Sequence, residues 1–121
     1  MVNDDASVEE ALMWFQKTLG LDPSIAPAQC GAVNILNLLG RFDEATEAAN
    51  GALGVIGEGT ADHISLREER AFALLKLGRA GEAMADVEHA LANGAGKVLN
   101  TNLHSAVYDR VASDKMEDGD F

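Results

Sequence analysis

A single cysteine, Cys30, rules out an internal disulfide framework and fits a reducing, cytoplasmic setting. Proline occurs only twice and β-branched runs are scarce, so little interrupts long helical segments and an all-α chain is expected. Aromatic residues make up 5%. A core with so few large rings has to bring helices together through Ala and Gly. Cations are also few: nine Lys and Arg, scattered, stand against twenty Asp and Glu and leave a net charge of −11. Phosphate contacts need clustered Lys and Arg, so nucleic acid and anionic membrane are disfavoured as partners. The charge itself serves solubility or a basic protein partner. The opening residues MVNDD are acidic, so no signal peptide is expected. No stretch approaches the roughly 20 apolar residues that cross a bilayer, and membrane insertion is not expected.

What the chain does have is a self-match. Leu36 to Leu53 and Leu74 to Leu91 share Leu36/Leu74, Leu39/Leu77, Gly40/Gly78, Arg41/Arg79, Glu44/Glu82, Ala45/Ala83, Ala52/Ala90 and Leu53/Leu91, 38 residues apart. A period of this size marks a helical repeat array. In each copy an apolar helix ends at a Gly free to take positive φ, a short turn follows, and a second helix opens with small residues. At 121 residues, 47% of them hydrophobic, the chain is one domain able to bury a core without staples.

Read in order, the apolar spacing predicts six helices. The first runs from a Ser7 cap, with Glu10 three residues on, to Leu19, with Val8, Ala11, Leu12, Phe15 and Leu19 inward and Gly20 ending it. The second covers Pro27 to Leu39 and is apolar nearly all round (Ala28, Ala32, Val33, Ile35, Leu36, Leu38, Leu39). The third runs from Phe42 to Leu53, with Ala45, Ala49 and Ala52 inward. The fourth starts at Thr60 or Ala61 and ends at Leu77. The fifth spans Ala80 to Ala92, with Ala83, Met84, Val87, Ala90 and Leu91 inward. The sixth takes Lys97 to Ala112, and 113–121 reads as a disordered acidic tail.

At LGRFDEATEAANGAL and LGRAGEAMADVEHAL the chain resembles the tetratricopeptide repeat (TPR) family. The matching residues are Gly40, Phe42, Ala45, Ala52 and Leu53, then Gly78, Ala83, Ala90 and Leu91. Glu10, Ala11, Phe15, Thr18, Leu19 and Asp22-Pro23 fit a lone second helix of a repeat. The resemblance implies an all-α, TPR-like superhelical array of about six antiparallel helices. Its parts are a lone helix at 7–24, repeats at 26–59 and 60–95, a capping helix at 97–112 and the tail. The first copy departs in showing Ala32-Val33 in mid-helix, both full copies lack the exit Pro, and four extra residues fall in GVIGEGTADH. A general helical-hairpin solenoid is the alternative fold.

No catalytic set assembles. His63, His89 and His104 share no metal-ligand spacing and Cys30 has no second cysteine, so no metal or cofactor is expected. Gly94-Ala95-Gly96-Lys97 lacks the first Gly and the Ser/Thr of a phosphate loop. Asp114, Asp118 and Gly119 lack the closing Glu of a calcium loop. In the resembling family the first helices of the repeats line a groove for extended peptides. The resemblance carries Cys30, Asn34 and Asn37, then Glu68, Phe72 and Leu75 or Lys76, onto that face, with Asn102 from the sixth helix; a solvated face is the alternative. Met13 and Trp14 turn outward by helical spacing, either to pack under the N-terminal segment or to form a contact patch open to self-association. The expectation is a noncatalytic scaffold or adaptor that binds a partner protein or peptide. A structural accessory subunit of a larger complex is the alternative.

Overall fold

The computed structural model of the chain describes residues 4–22, 25–57, 60–93 and 101–117, apart from the side chains of 4–7, 101–102 and 116–117. These residues form six helices and no strand: α1 (Asp4–Leu21), α2 (Ala26–Leu38), α3 (Phe42–Leu53), α4 (Ala61–Lys76), α5 (Ala80–Asn93) and α6 (Thr101–Glu117). Where local chemistry decides an end, the observed end follows it. Pro27 stands in the first turn of α2, where its missing N–H costs nothing. Thr60 caps α4, its hydroxyl accepting the His63 N–H at 3.2 Å.

The self-match has a direct structural counterpart. Gly40 and Gly78 take φ of 76° and 79°. At the first, Gly40 N–H donates to the Asn37 carbonyl and Arg41 N–H to the Leu36 carbonyl. At the second, Gly78 N–H donates to Leu75 and Arg79 N–H to Leu74. Both are the paired closure in which a left-handed residue lets the chain bond back to the last helical turn. Each turn is followed by the same exposed pair, Arg41 with Glu44 and Arg79 with Glu82.

Three expected ends move. α1 is already helical at Asp4, so Ser7 lies inside it, and it runs through Gly20 to Leu21. A helical Gly costs only about 1 kcal/mol against Ala, so Gly20 does not stop the helix. α6 continues past Ala112 to Glu117, helped by the i,i+4 pair Arg110–Asp114, so 113–117 of the expected tail are helical. Residues 97–100 and 118–121 lie outside the described residues.

Each helix packs on the next in the chain, and α2 also packs on α4, and α4 on α6. The bonds Cys30–Asp62 and Asn37–Glu69 both span 32 residues, so α2 and α4 run parallel in register. α4 and α5 run antiparallel, with His63 against His89 at one end and Arg70 against Asp86 further along. One apolar cluster joins Leu12, Val33, Leu36, Ala45, Ala49 and Leu66. A second joins Ala71, Leu74, Ala83, Val87, Leu103 and Val107. α4 supplies both, Leu66 and Ala73 to the first and Ala71 and Leu74 to the second. Ala45 and Ala83 are fully buried, where small side chains let helices approach closely. Leu38 and Leu91, expected inside, are exposed, and Asp86 is buried with Ala83, Val87 and Ala90.

Candidate functional site

The face shared by α2, α4 and α6 carries the residues expected to line a groove, and most of their polar groups bond to one another. Asn34 Nδ2 donates to Glu69 Oε1 at 3.0 Å. Asn37 is buried, and its Nδ2 donates to the Glu69 carbonyl at 3.0 Å and to Oε2 at 2.8 Å. Glu68 Oε2 lies 2.7 Å from His104 Nε2 and ties α4 to α6. Asn34 and Asn37 thus meet on one carboxylate, whereas Glu68 points to a different helix. A face where parallel helices touch leaves amides and carboxylates at the seam, and pairing there offsets most of the cost of burying them, with Asn37 Oδ1 left without a hydrogen bond. Phe72 is half-buried, edge-on to Phe42 with centroids 6.0 Å apart, and Lys76 Nζ stands 5.5 Å from its ring. These two are the groove residues whose apolar and cationic surfaces remain together.

Cys30, also on this face, is half-buried. Burial pushes its thiol up to about 11 from 9.0, reinforced by the nearby Asp62 carboxylate, whose Oδ1 lies 3.9 Å from Sγ. The side chain is a protonated thiol at neutral pH and a poor nucleophile.

The outer face of α1 is different. Leu12 is buried and Val8, Phe15 and Leu19 pack inward with it, against α2. The Phe15 ring lies so close to Gly31 that a Cβ there would sit 2.5 Å from Cζ. Phe15 therefore packs inward on α2, as its place on the apolar stripe implies. On the opposite side Met13 is 67% exposed, Trp14 68% and Leu21 85%. Glu10, Met13, Trp14, Gln16 and Lys17 frame a shallow concavity of about 480 Å³, with Lys17 Nζ 5.7 Å from the Trp14 ring.

Between α3 and α5 lies a polar centre that the apolar patterning missed. Asp86, 1% exposed, accepts from Arg70 Nε at 2.8 Å, Arg70 Nη2 at 2.5 Å and Arg67 Nη1 at 3.0 Å. Arg70 Nη1 donates to Asn50 Oδ1 on α3 at 2.9 Å. The signal was present in the sequence: two arginines at i,i+3 on α4, and one Asp on an otherwise Ala/Val stripe of α5. The cleft they line holds about 290 Å³, with Arg79 and Glu82 also at its lining. Thr46 there donates its hydroxyl to the Phe42 carbonyl. Its groups bond one another, so the cluster joins α3, α4 and α5 as a cross-link.

Among the described residues no three His, Cys, Asp or Glu side chains converge as a metal would require. None of their helices is long and apolar enough to cross a membrane. Set beside known proteins, the chain matches no family model, no curated protein and no solved structure.

Proposed function

We propose that the chain is a noncatalytic scaffold of the TPR type, which holds another protein rather than transforming a substrate. Supporting the repeat reading are the two equivalent turns at Gly40 and Gly78 and the packing of alternate helices, α2 on α4 and α4 on α6. The function rests on one observation above the others: Met13, Trp14 and Leu21 form an exposed apolar ridge on α1. Grouped exposure of large apolar side chains is the mark of a contact surface, and Trp is a common anchor. The α2/α4/α6 face contributes less, since Asn34, Asn37 and Glu68 are bonded within the fold; Phe72 and Lys76 are its contact residues. The strongly acidic remainder of the surface suits a basic partner.

Leu38, Val55 and Leu91, exposed outside the ridge, favour a second reading, an accessory subunit enclosed in a larger complex. The two part on behaviour alone: a scaffold is stable and soluble in isolation, whereas an enclosed subunit aggregates without its neighbours. The test is affinity purification of the tagged chain from its native host, with Trp14→Ala and Phe72→Ala in parallel. Loss of the co-purifying protein with Trp14→Ala supports the ridge, and loss with Phe72→Ala supports the groove. Equal recovery with both variants overturns the reading.

A further inference from the structure

We infer that the outer face of α1 binds a second copy of this chain, as an antiparallel helix pair about a two-fold axis between Met13 and Trp14. The inference rests on reading that face as a contact surface and names its occupant. At 3.6 residues per turn Glu10, Met13, Trp14, Lys17 and Leu21 fall on one stripe, opposite the Leu12 and Leu19 face that packs on α2. The stripe is self-complementary. In an antiparallel pair centred between residues 13 and 14, each residue stands level with the one equally far beyond the centre. Met13 then meets the second copy's tryptophan. Glu10 and Lys17, each about 5 Å along the helix from the axis at 1.5 Å per residue, stand level with the opposite charge of the other copy. Both charge pairs form at once, because the operation is symmetric.

A parallel pair would instead set glutamate beside glutamate and lysine beside lysine, so charge selects the antiparallel arrangement. Lys17 already lies over the Trp14 ring, which holds its ammonium on the stripe near the partner's carboxylate. Each copy carries −11, and this opposes approach at long range. At 0.15 M salt the Debye length is about 8 Å, so distant charges are screened while pairs in contact still act. One helix-on-helix contact is smaller than the ~1,200 Å² at which stable interfaces begin, so the dimer is weak and concentration-dependent.

Sedimentation equilibrium of the full chain up to millimolar concentration tests this. Wild type should show a monomer–dimer equilibrium. Trp14→Ala, Glu10→Lys and Lys17→Glu should each weaken it by about tenfold or more, since a reversed charge turns both pairs repulsive. Mixing Glu10→Lys with Lys17→Glu in equal amounts should restore dimers, as each lysine then faces a glutamate. That recovery requires both variants to be folded, and circular dichroism of each checks it. A second measurement does not depend on charge. With Cys30→Ser, a Met13→Cys variant should oxidise to a covalent dimer, whereas Glu47→Cys, exposed on α3, should not. A wild type that stays monomeric overturns the inference, as does a mixture that fails to associate while both variants are folded. A monomer that captures a different protein through Trp14 also overturns it, while leaving the scaffold reading intact.

Discussion

The two hairpins, α2–α3 and α4–α5, close with the same turn and share an apolar filling, to which the second adds a buried ion cluster. At the places of Arg67, Arg70 and Asp86 in the second, the first has Gln29, Ala32 and Ala48. The first hairpin is held by apolar contact among Val33, Leu36, Ala45 and Ala49. The second places a buried carboxylate between two arginines and extends one of them to Asn50 on α3. The turn is a local device, indifferent to what fills the hairpin it closes. Apolar packing tolerates a lost methyl at modest cost, whereas a buried charge network depends on every member.

The largest expected effect breaks that contrast at its most polar point. Asp86→Ala leaves two partly buried guanidinium groups without their carboxylate and should destabilise by about 3–5 kcal/mol. Arg67→Met, Arg70→Leu and Asp86→Ala combined should lose less than Asp86→Ala alone, because an ion cluster replaced by apolar groups is often close to neutral. Urea unfolding of the two variants measures the difference. A triple variant weaker than the single would mean that the network is worth more than an apolar filling.

In the first half the corresponding sensitivity lies in close contact. Gly31→Ala places a methyl against the Phe15 ring and should cost roughly 1–3 kcal/mol by overpacking. Thermal unfolding together with near-UV circular dichroism should show the loss, and Phe15→Leu in the same chain should recover part of it. Gly40→Val and Gly78→Val test what the hairpins have in common. Both force a β-branched residue into positive φ and should cost about 1–3 kcal/mol each, by nearly equal amounts. Unequal losses would show that the filling, and not the turn, sets the local stability.

The smallest effect concerns Cys30, whose counterpart in the second copy is Glu68. With its pKa at about 11 against 9.0, alkylation of the folded chain at pH 8 should be about a hundredfold slower than in urea, from the thiolate fraction alone. The raised value means that the folded state holds the thiol proton more tightly. The associated stability is therefore complete below pH 9 and is lost as pH rises toward 11. A rate equal to that of the unfolded chain would place the thiol in water.

Several features were legible because one helical turn of sequence settles them. The closures at Gly40 and Gly78, the start of α4 at Thr60 or Ala61, the span of α3 and the burial of Ala45 and Ala83 follow from residue type and spacing. So does the outward aim of Met13 and Trp14, opposite Leu12. The ends of α1 and α6 were less legible, because Ser7, Gly20 and the acidic residues after Ala112 are weak stop signals that a continuing helix overrides. Other features belong to pairs of distant residues, and no local pattern holds them. Asn34, Asn37 and Glu68 looked like groups facing a ligand, since Glu69 and His104 come from other helices and meet them only once α2, α4 and α6 pack. Asp86 carries no role in its own helix's pattern and gains one only when α4 brings Arg67 and Arg70 beside it. The amino-acid order by itself determined where helices form and stop, because those choices are made by backbone bonds and side chains within a few residues. Only the tertiary structure decided which polar groups are spent inside the fold and which apolar ones, Trp14 above all, remain outside. That outcome depends on how helices far apart in sequence share the burial of the same surface.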